Sequence, residues 1–196
     1  EALLYVKETT GATVATCGFK ITGELSEEDP QIDYRNAETV VLHGGESFRL
    51  SRRRNFAWNR LYDRAVFDKL RYNTSVTFYE DLVLYLEMMC TVPGYSEAFC
   101  MVPLYYYFQR ETSLMKTFTM KSYSTAADAM LDLYEKLYTH EYSWVVLDQA
   151  AKAVLASWAK GKGSDEWNSG KADIDALRHR ALAHLAAKPP GLATKQ

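Results

Sequence analysis

Apolar residues recur with a helical period in the middle of the chain. Between Glu80 and about Thr91 they fall at positions i, i+3, i+4 and i+7, which places them on one face of a predicted helix. These positions are Leu82, Tyr85, Leu86 and Met89. Pro93 and Gly94 follow, and such a pair is typical of the end of a helix. The pattern therefore predicts an amphipathic helix that packs along one side.

Strands and shorter elements surround this helix up to about residue 120. Many β-branched residues predict a strand from Thr13 to Ile21, and a dense run of aromatic residues predicts another from Glu97 to Phe108. The remaining elements are a helix over 2–9, a loop over 24–35, a strand over 38–42, a helix over 46–52, a helix that ends near 70 and a loop over 72–76. This mixture of helices and strands indicates an α/β fold.

The last third of the chain has only helical patterns. Three helices are expected there, over about 121–139, 142–160 and 174–187. The sequence is therefore divided into an α/β part, a helical C-terminal extension and a disordered tail, over 1–120, 121–188 and 189–196.

Composition narrows the class of protein. The 196 residues are 47% hydrophobic and 24% charged with a formal net charge of -2, which is ordinary for a soluble globular domain and gives no electrostatic case for a nucleic-acid partner. Cys17, Cys90 and Cys100 lie in apolar segments without zinc or redox spacing, so we expect buried reduced thiols. No apolar run is long enough to cross a bilayer. The chain opens at Glu1 inside an apparent helix, which we interpret as the trimmed start of a longer protein.

Two adjacent carboxylates, Glu80 and Asp81, open the central helix. Thr77 and Glu80 fit the capping-box pattern, in which the Glu side chain returns to the backbone of the Thr. Asp81 is not needed for that box. The helix dipole favours an ionised carboxylate in the first turn, and a fixed ionised carboxylate is what a general base requires. The residues alone leave a capping role and a ligand role open.

A second group of candidates lies at Trp58, Asn59 and Arg60. The indole could stack on a sugar or a base, or it could anchor the core, and the guanidinium could contact phosphate oxygens in pairs. The run Arg52–Arg54 just before them is the most basic stretch. It is interpreted either as a solvated loop or as a patch for a phosphorylated or lipid-linked ligand at a membrane surface.

Three motifs in order resemble the second half of a family 2 glycosyltransferase. The first is Trp-Asn-Arg-Leu-Tyr over 58–62, where the family more often has Lys in place of Arg60. The second is the acidic pair Glu80-Asp81. The third runs from Pro103 through three tyrosines to Arg110 and on to Ser113-Leu114-Met115. The resemblance covers roughly residues 1–120 and implies part of an A-type glycosyltransferase fold.

By this resemblance Asp81 is the catalytic base, with Glu80 as second choice. The base would take the proton of an acceptor hydroxyl, whose oxygen then displaces the nucleotide from a nucleotide-sugar donor with inversion. Trp58, Asn59 and Arg60 would face the substrates, while Arg110 and Ser113 would order a loop near the diphosphate. The implied parent enzyme builds surface polysaccharide in a bacterium, at the cytoplasmic side of the membrane, from a saccharide or lipid-linked acceptor.

The donor half of such an enzyme is not seen in this sequence. The family holds Mg²⁺ or Mn²⁺ with an Asp-x-Asp motif, and the one match here, Asp173-Ile174-Asp175, comes too late and opens an apparent helix. The metal is thus expected in the full-length parent and not in this chain, which should be inactive alone. The alternative is a non-catalytic interaction or assembly module. An open sheet edge would favour a homodimer.

Overall fold

The computed structural model describes residues 1–22, 32–51, 56–109 and 117–187. The chain forms two compact units. The first consists of Glu1–Leu70 and Thr91–Ser113, and the second of Arg71–Cys90 and Leu114–Gln196. The chain therefore leaves the first unit, contributes a segment to the second, and returns before it enters the C-terminal helices.

A four-stranded mixed sheet organises the first unit. Its elements are α1 (Ala2–Thr10), β1 (Val14–Thr22), β2 (Thr39–His43), α2 (Glu46–Ser51), a short 3₁₀ helix (Ala57–Asn59), β3 (Arg60–Tyr62), α3 (Val66–Lys69) and β4 (Ser96–Phe108). The strand order is β2-β4-β1-β3, with β1 and β4 parallel and the two outer pairs antiparallel. This mixed architecture confirms the α/β class.

Small residues on one face of the sheet let α1 pack closely. Ala15 pairs with Ala98 across the central strands, and both are fully buried beneath Val6 of α1. The helix ends at Gly11, whose φ of 65° is the left-handed conformation that glycine adopts without steric cost. A compact core thus fixes the start of β1 and β4.

A register shift interrupts the pairing of the two central strands. Cys17 pairs with Cys100, but the next pairs are Gly18 with Pro103 and Phe19 with Tyr105. A Cβ atom at Gly18 would lie 3.0 Å from the carbonyl oxygen of Val102, so only glycine fits this close approach without displacement. Beyond the shift the strands continue together to Thr22 and Phe108.

The second unit is helical. It holds α4 (Glu80–Thr91, the last residue belonging to the first unit), α5 (Met120–Lys136), α6 (Ser143–Gly161) and α7 (Trp167–Ala186). Its largest fully buried side chains are Tyr85, Leu86, Met88, Met130, Leu131, Tyr134, Leu147 and Ile174. None of the described helices is long and apolar enough to cross a membrane.

Several predicted elements need correction. Helix α7 begins at Trp167, seven residues before the expected position 174, and the helix expected to end near residue 70 is only the four residues Val66–Lys69. The strand β3 was not anticipated. The expected loop over 24–35 lies largely outside the described residues, as does the tail. The expectation for the cysteines is confirmed, because all three are buried and form no disulfide among the described residues.

Candidate functional site

The acidic pair occupies the first turn of α4, in the second unit. Both side chains are partly exposed. An Asp81 carboxylate oxygen, Oδ1, accepts a hydrogen bond from the backbone N–H of Leu82 at 2.8 Å, which restrains the carboxylate. The helix begins at Glu80 itself, so Glu80 is its first residue and not its third. Thr77 is therefore not the N-cap residue, because Tyr79, which directly precedes the helix, has a positive φ and cannot belong to a helical turn that begins after Thr77. The predicted capping box is wrong.

Tyr79, directly before the pair, has a strained backbone. Its φ is 63°, and it is the one non-glycine residue with a positive φ in the part of the chain that the structure describes. A bulky side chain disfavours this conformation by about 1–2 kcal/mol. The Tyr79 carbonyl accepts the N–H of Val83 at 2.9 Å, so the strained residue closes the first helical turn. The strain lies at the point where the two carboxylates are presented.

Aromatic rings hold this turn in place. Phe78 is buried and lies 3.8 Å from Phe118 and 4.7 Å from Tyr123, measured between ring centroids. The Tyr79 ring stacks on Phe78 at 3.9 Å. Burial raises the pKa of the Tyr79 phenol, and Tyr123 and the charge of Asp81 raise it further.

Arg60 lies in the first unit, in a buried ion pair that the sequence did not reveal. Its Nη2 atom is 3.2 Å from Oε1 of Glu97, and the two side chains are 1% and 0% exposed. The Thr16 hydroxyl donates to the same carboxylate at 2.5 Å, and the Tyr95 hydroxyl donates to its second oxygen at 3.2 Å. The guanidinium thus has an internal partner, and a substrate contact would require this pair to open.

Asn59 is also fully buried. Its amide nitrogen donates to the carbonyl of Cys17 at 2.7 Å, and the Cys17 thiol donates to the Asn59 carbonyl at 3.6 Å. The side-chain oxygen of Asn59 has no hydrogen-bond partner among the described residues. These contacts attach the 3₁₀ helix to β1, so the geometry gives Asn59 a structural task.

Trp58 lies among four other aromatic rings. It is stacked on Phe56 at 4.7 Å and on Tyr107 at 5.0 Å, tilted against Tyr105 at 4.4 Å, and edge-on to Phe19 at 5.1 Å. The indole is only partly buried. Because the indole already packs against four rings, the geometry favours the anchoring role over the stacking of a sugar.

The structure groups the candidates by unit. Glu80 and Asp81 lie together in the second unit, and Trp58, Asn59 and Arg60 lie together in the first. Arg110 and Ser113 fall outside the described residues, so their expected role stays a prediction. Glu97 was missed, although a carboxylate in a strand of otherwise apolar and aromatic residues was a signal that it has a buried partner.

A charged network between α5 and α7 was also missed. Arg180 binds three carboxylates with its three nitrogens, those of Asp128 at 2.9 Å, Asp132 at 2.5 Å and Glu135 at 2.7 Å. The Nε2 atom of His184 lies 2.7 Å from the same Glu135 oxygen that Arg180 contacts. Hydrogen bonding to Arg180 lowers the pKa of Glu135 to about 2 despite desolvation, with His184 contributing. The three acidic residues lie at positions i, i+4 and i+7, so they share one face of α5.

A cavity of about 390 Å³ borders this network. Its lining includes two positively charged side chains, Lys121 and Arg180, and two negatively charged side chains, Asp128 and Asp173. Across the described ranges, no group of three or more His, Cys, Asp or Glu side chains is placed to hold a metal ion. Asp175 instead pairs with Lys171 on its own helix.

Neither a scan against protein-family models nor a search of curated proteins found a match for this chain. The resemblance to family 2 glycosyltransferases therefore depends on the three motifs themselves, and the function inferred from it is a proposal.

Proposed function

We propose that this chain is the acceptor-side part of an inverting glycosyltransferase that moves a sugar from a nucleotide-sugar donor to an acceptor hydroxyl. Asp81 is the proposed general base, and Glu80 is the second choice. One observation carries the proposal: Asp81 stands partly exposed in the first turn of a twelve-residue helix, immediately after a strained turn. Strained backbone is concentrated at functional sites, because selection for stability alone would remove it.

The chemistry requires a carboxylate that is ionised and fixed. A helix N-terminus favours the charged form, and the hydrogen bond from Leu82 limits the motion of Asp81. When the acceptor oxygen attacks the anomeric carbon, its O–H bond breaks and the proton passes to the carboxylate, while the nucleoside diphosphate leaves with the bonding electrons. A positioned base of this kind contributes about 100- to 10,000-fold in rate.

The donor site, with its Mg²⁺ or Mn²⁺, would belong to the rest of the parent protein. Trp58 and Asn59 belong to a structural support for the acceptor side, together with the Arg60–Glu97 pair. The acceptor is a saccharide or a lipid-linked saccharide used for surface polysaccharide, and the reaction takes place at the cytoplasmic face of a bacterial membrane. These last assignments come from the resemblance alone.

The test is the substitution Asp81→Asn in the full-length parent. The readout is release of nucleoside diphosphate from a panel of nucleotide sugars with and without added saccharide acceptors. Asp68→Asn is the matched control, because Asp68 is an exposed carboxylate in the first turn of α3. We expect loss of acceptor-dependent release of at least about 100-fold for Asp81→Asn and none for Asp68→Asn.

The outcome also decides between the two carboxylates. If Glu80→Gln abolishes transfer and Asp81→Asn does not, the base is Glu80. If neither substitution lowers transfer while circular dichroism shows an intact fold, the pair only begins the helix and the chain is better described as a non-catalytic module.

A further inference from the structure

We propose that the cavity between α5 and α7 binds a free amino acid with an apolar side chain. The Lys121 ammonium binds the carboxylate of this ligand, and the Asp173 carboxylate binds its ammonium. The site is independent of the proposed function, because the carboxylates of α4 are not among the described residues that line this cavity.

Two parallel helices form the walls of the cavity. Met120, at the start of α5, packs against Gly170 of α7, and Glu135, near the end of α5, contacts His184 of α7. The two helices therefore run in the same direction, and they are held together at both ends of the cavity. Its volume of about 390 Å³ is at the lower end of the range for small-molecule sites, which is ~300–1,000 Å³.

Four charged side chains line the cavity, and two of them are bound to each other. Asp128 is bound by Arg180, whose three nitrogens each contact a carboxylate. Lys121 and Asp173 line the same cavity, yet neither side chain has an ion pair or hydrogen bond within the described ranges. Both are exposed, so a ligand can reach them from solvent. The lining thus offers one positive and one negative charge, which match a ligand that carries one charge of each sign.

Two hydroxyl oxygens complement the binding of an ammonium. Ser124 and Thr125 both donate to the backbone carbonyl of Lys121, at 3.0 and 2.9 Å, so each oxygen is left only as an acceptor. An ammonium has three donors, which match these two oxygens and the Asp173 carboxylate. The ligand carboxylate is favoured beside Lys121, because this lysine lies in the first turn of α5, where the helix dipole stabilises negative charge.

The lining also fits an amino acid better than a phosphorylated ligand. A phosphate carries up to two negative charges and takes several charged donors, whereas Lys121 is the one cation of the described lining that is not already bound to a carboxylate. Leu177, which is 9% exposed, and Ala176 provide an apolar part of the lining. An apolar side chain on the ligand matches that surface.

Titration of the isotopically labelled chain with L-leucine, followed by NMR, tests the proposal. We expect the amide signals of α5 and α7 to shift and to saturate in the millimolar range of ligand. Lys121→Met and Asp173→Asn should each weaken binding by about tenfold, because each removes a hydrogen bond to a charged group. Lys171→Met and Asp175→Asn are the matched controls, because these two residues of α7 form an exposed ion pair outside the cavity lining. They should change the affinity by less than about twofold.

Ligands that lack one of the two charges assign each contact. N-acetyl-L-leucine has no ammonium, so it should bind about tenfold more weakly than L-leucine and be insensitive to Asp173→Asn. L-leucinamide has no carboxylate, so it should be weakened equally and be insensitive to Lys121→Met. The proposal is overturned if wild type shows no saturable shifts, or if the control variants weaken binding as much as the cavity variants do. It is also overturned if L-leucinamide binds as tightly as L-leucine, which would assign the cavity to simple amines.

Discussion

Arg60 and Glu97 form an ion pair that is almost completely excluded from solvent, with 3.2 Å between Nη2 and Oε1. It joins the edge strand β3 to the central strand β4 across β1, whose Thr16 donates to the same carboxylate. Removal of two charges from water is costly, so the pair is weak support for overall stability. Its contribution is to specificity, because the register that pairs Arg60 with Thr16 is the one that brings the guanidinium to Glu97.

Loss of one partner alone, in contrast, should destabilise the first unit strongly, because the remaining charge stays buried without its partner. We expect Glu97→Gln or Arg60→Met to lower the free energy of unfolding by about 3–5 kcal/mol, because each leaves a buried charge unpaired. The double variant Arg60→Met/Glu97→Gln should cost much less than the sum. Urea unfolding followed by tryptophan fluorescence measures all three. Additive effects of the two single variants would show that the residues do not act as a pair.

The exposed pair Lys152–Asp148 is a control for this experiment. Its two side chains are 46% and 44% exposed. Removal of either charge should change the free energy of unfolding by no more than about 1 kcal/mol. A large effect there would mean that the assay responds to net charge and not to burial.

Elements with strong periodicity were predictable to within a few residues. The helix α4 and the strand β4 were both anticipated from apolar spacing or aromatic density. The strand β3 was not, because its three residues are defined by pairing with β1, which lies far away in the sequence. The early start of α7 was missed for a similar reason: Gly170 packs against Met120, so a polar, glycine-containing segment becomes helical through tertiary contact.

The candidate site was predictable only in part. Adjacent carboxylates at a helix start can be recognised from sequence, and Glu80 and Asp81 do lie there. The strain at Tyr79 has no sequence signature, since nothing in a Phe-Tyr-Glu-Asp run requires a positive φ. The partner of Arg60 could not be identified either, because it follows from the register of three strands.

Substitutions at Tyr79 should reveal the backbone strain. Tyr79→Ala and Tyr79→Gly remove the same ring contacts, but only glycine adopts a positive φ without steric cost. We expect the Gly variant to be more stable than the Ala variant by about 1 kcal/mol, the reverse of their usual order within a helix. Thermal unfolding of the two variants measures the difference. An Ala variant at least as stable as the Gly variant would contradict the left-handed conformation.

The three thiols should be unreactive in the folded protein. Burial raises the pKa of Cys90 to about 12, and the charge of Glu141 adds to the effect, so the thiolate is nearly absent at neutral pH. Cys17 and Cys100 are 3% and 1% exposed. Iodoacetamide followed by mass spectrometry should therefore label the protein only after urea unfolding. Rapid modification of any one cysteine before unfolding would place that thiol at an accessible position.

The network around Arg180 should make stability depend on acid pH. Hydrogen bonding to Arg180 lowers the pKa of Glu135 from its ordinary value of 4.5 to about 2 in the folded protein. A carboxyl with a lowered folded pKa contributes stability that is fully present above the unfolded pKa and lost as pH falls through the folded one. Wild type should thus be more stable than Glu135→Gln near neutral pH, and this advantage should shrink between about pH 4.5 and pH 2. The urea midpoints of the two proteins across this pH range measure the advantage.

In an Arg180→Gln background the advantage of Glu135 over Gln should be small at every pH, since the main cause of the pKa shift is gone. A pH-dependent advantage that persists in this background would assign the effect to His184 instead.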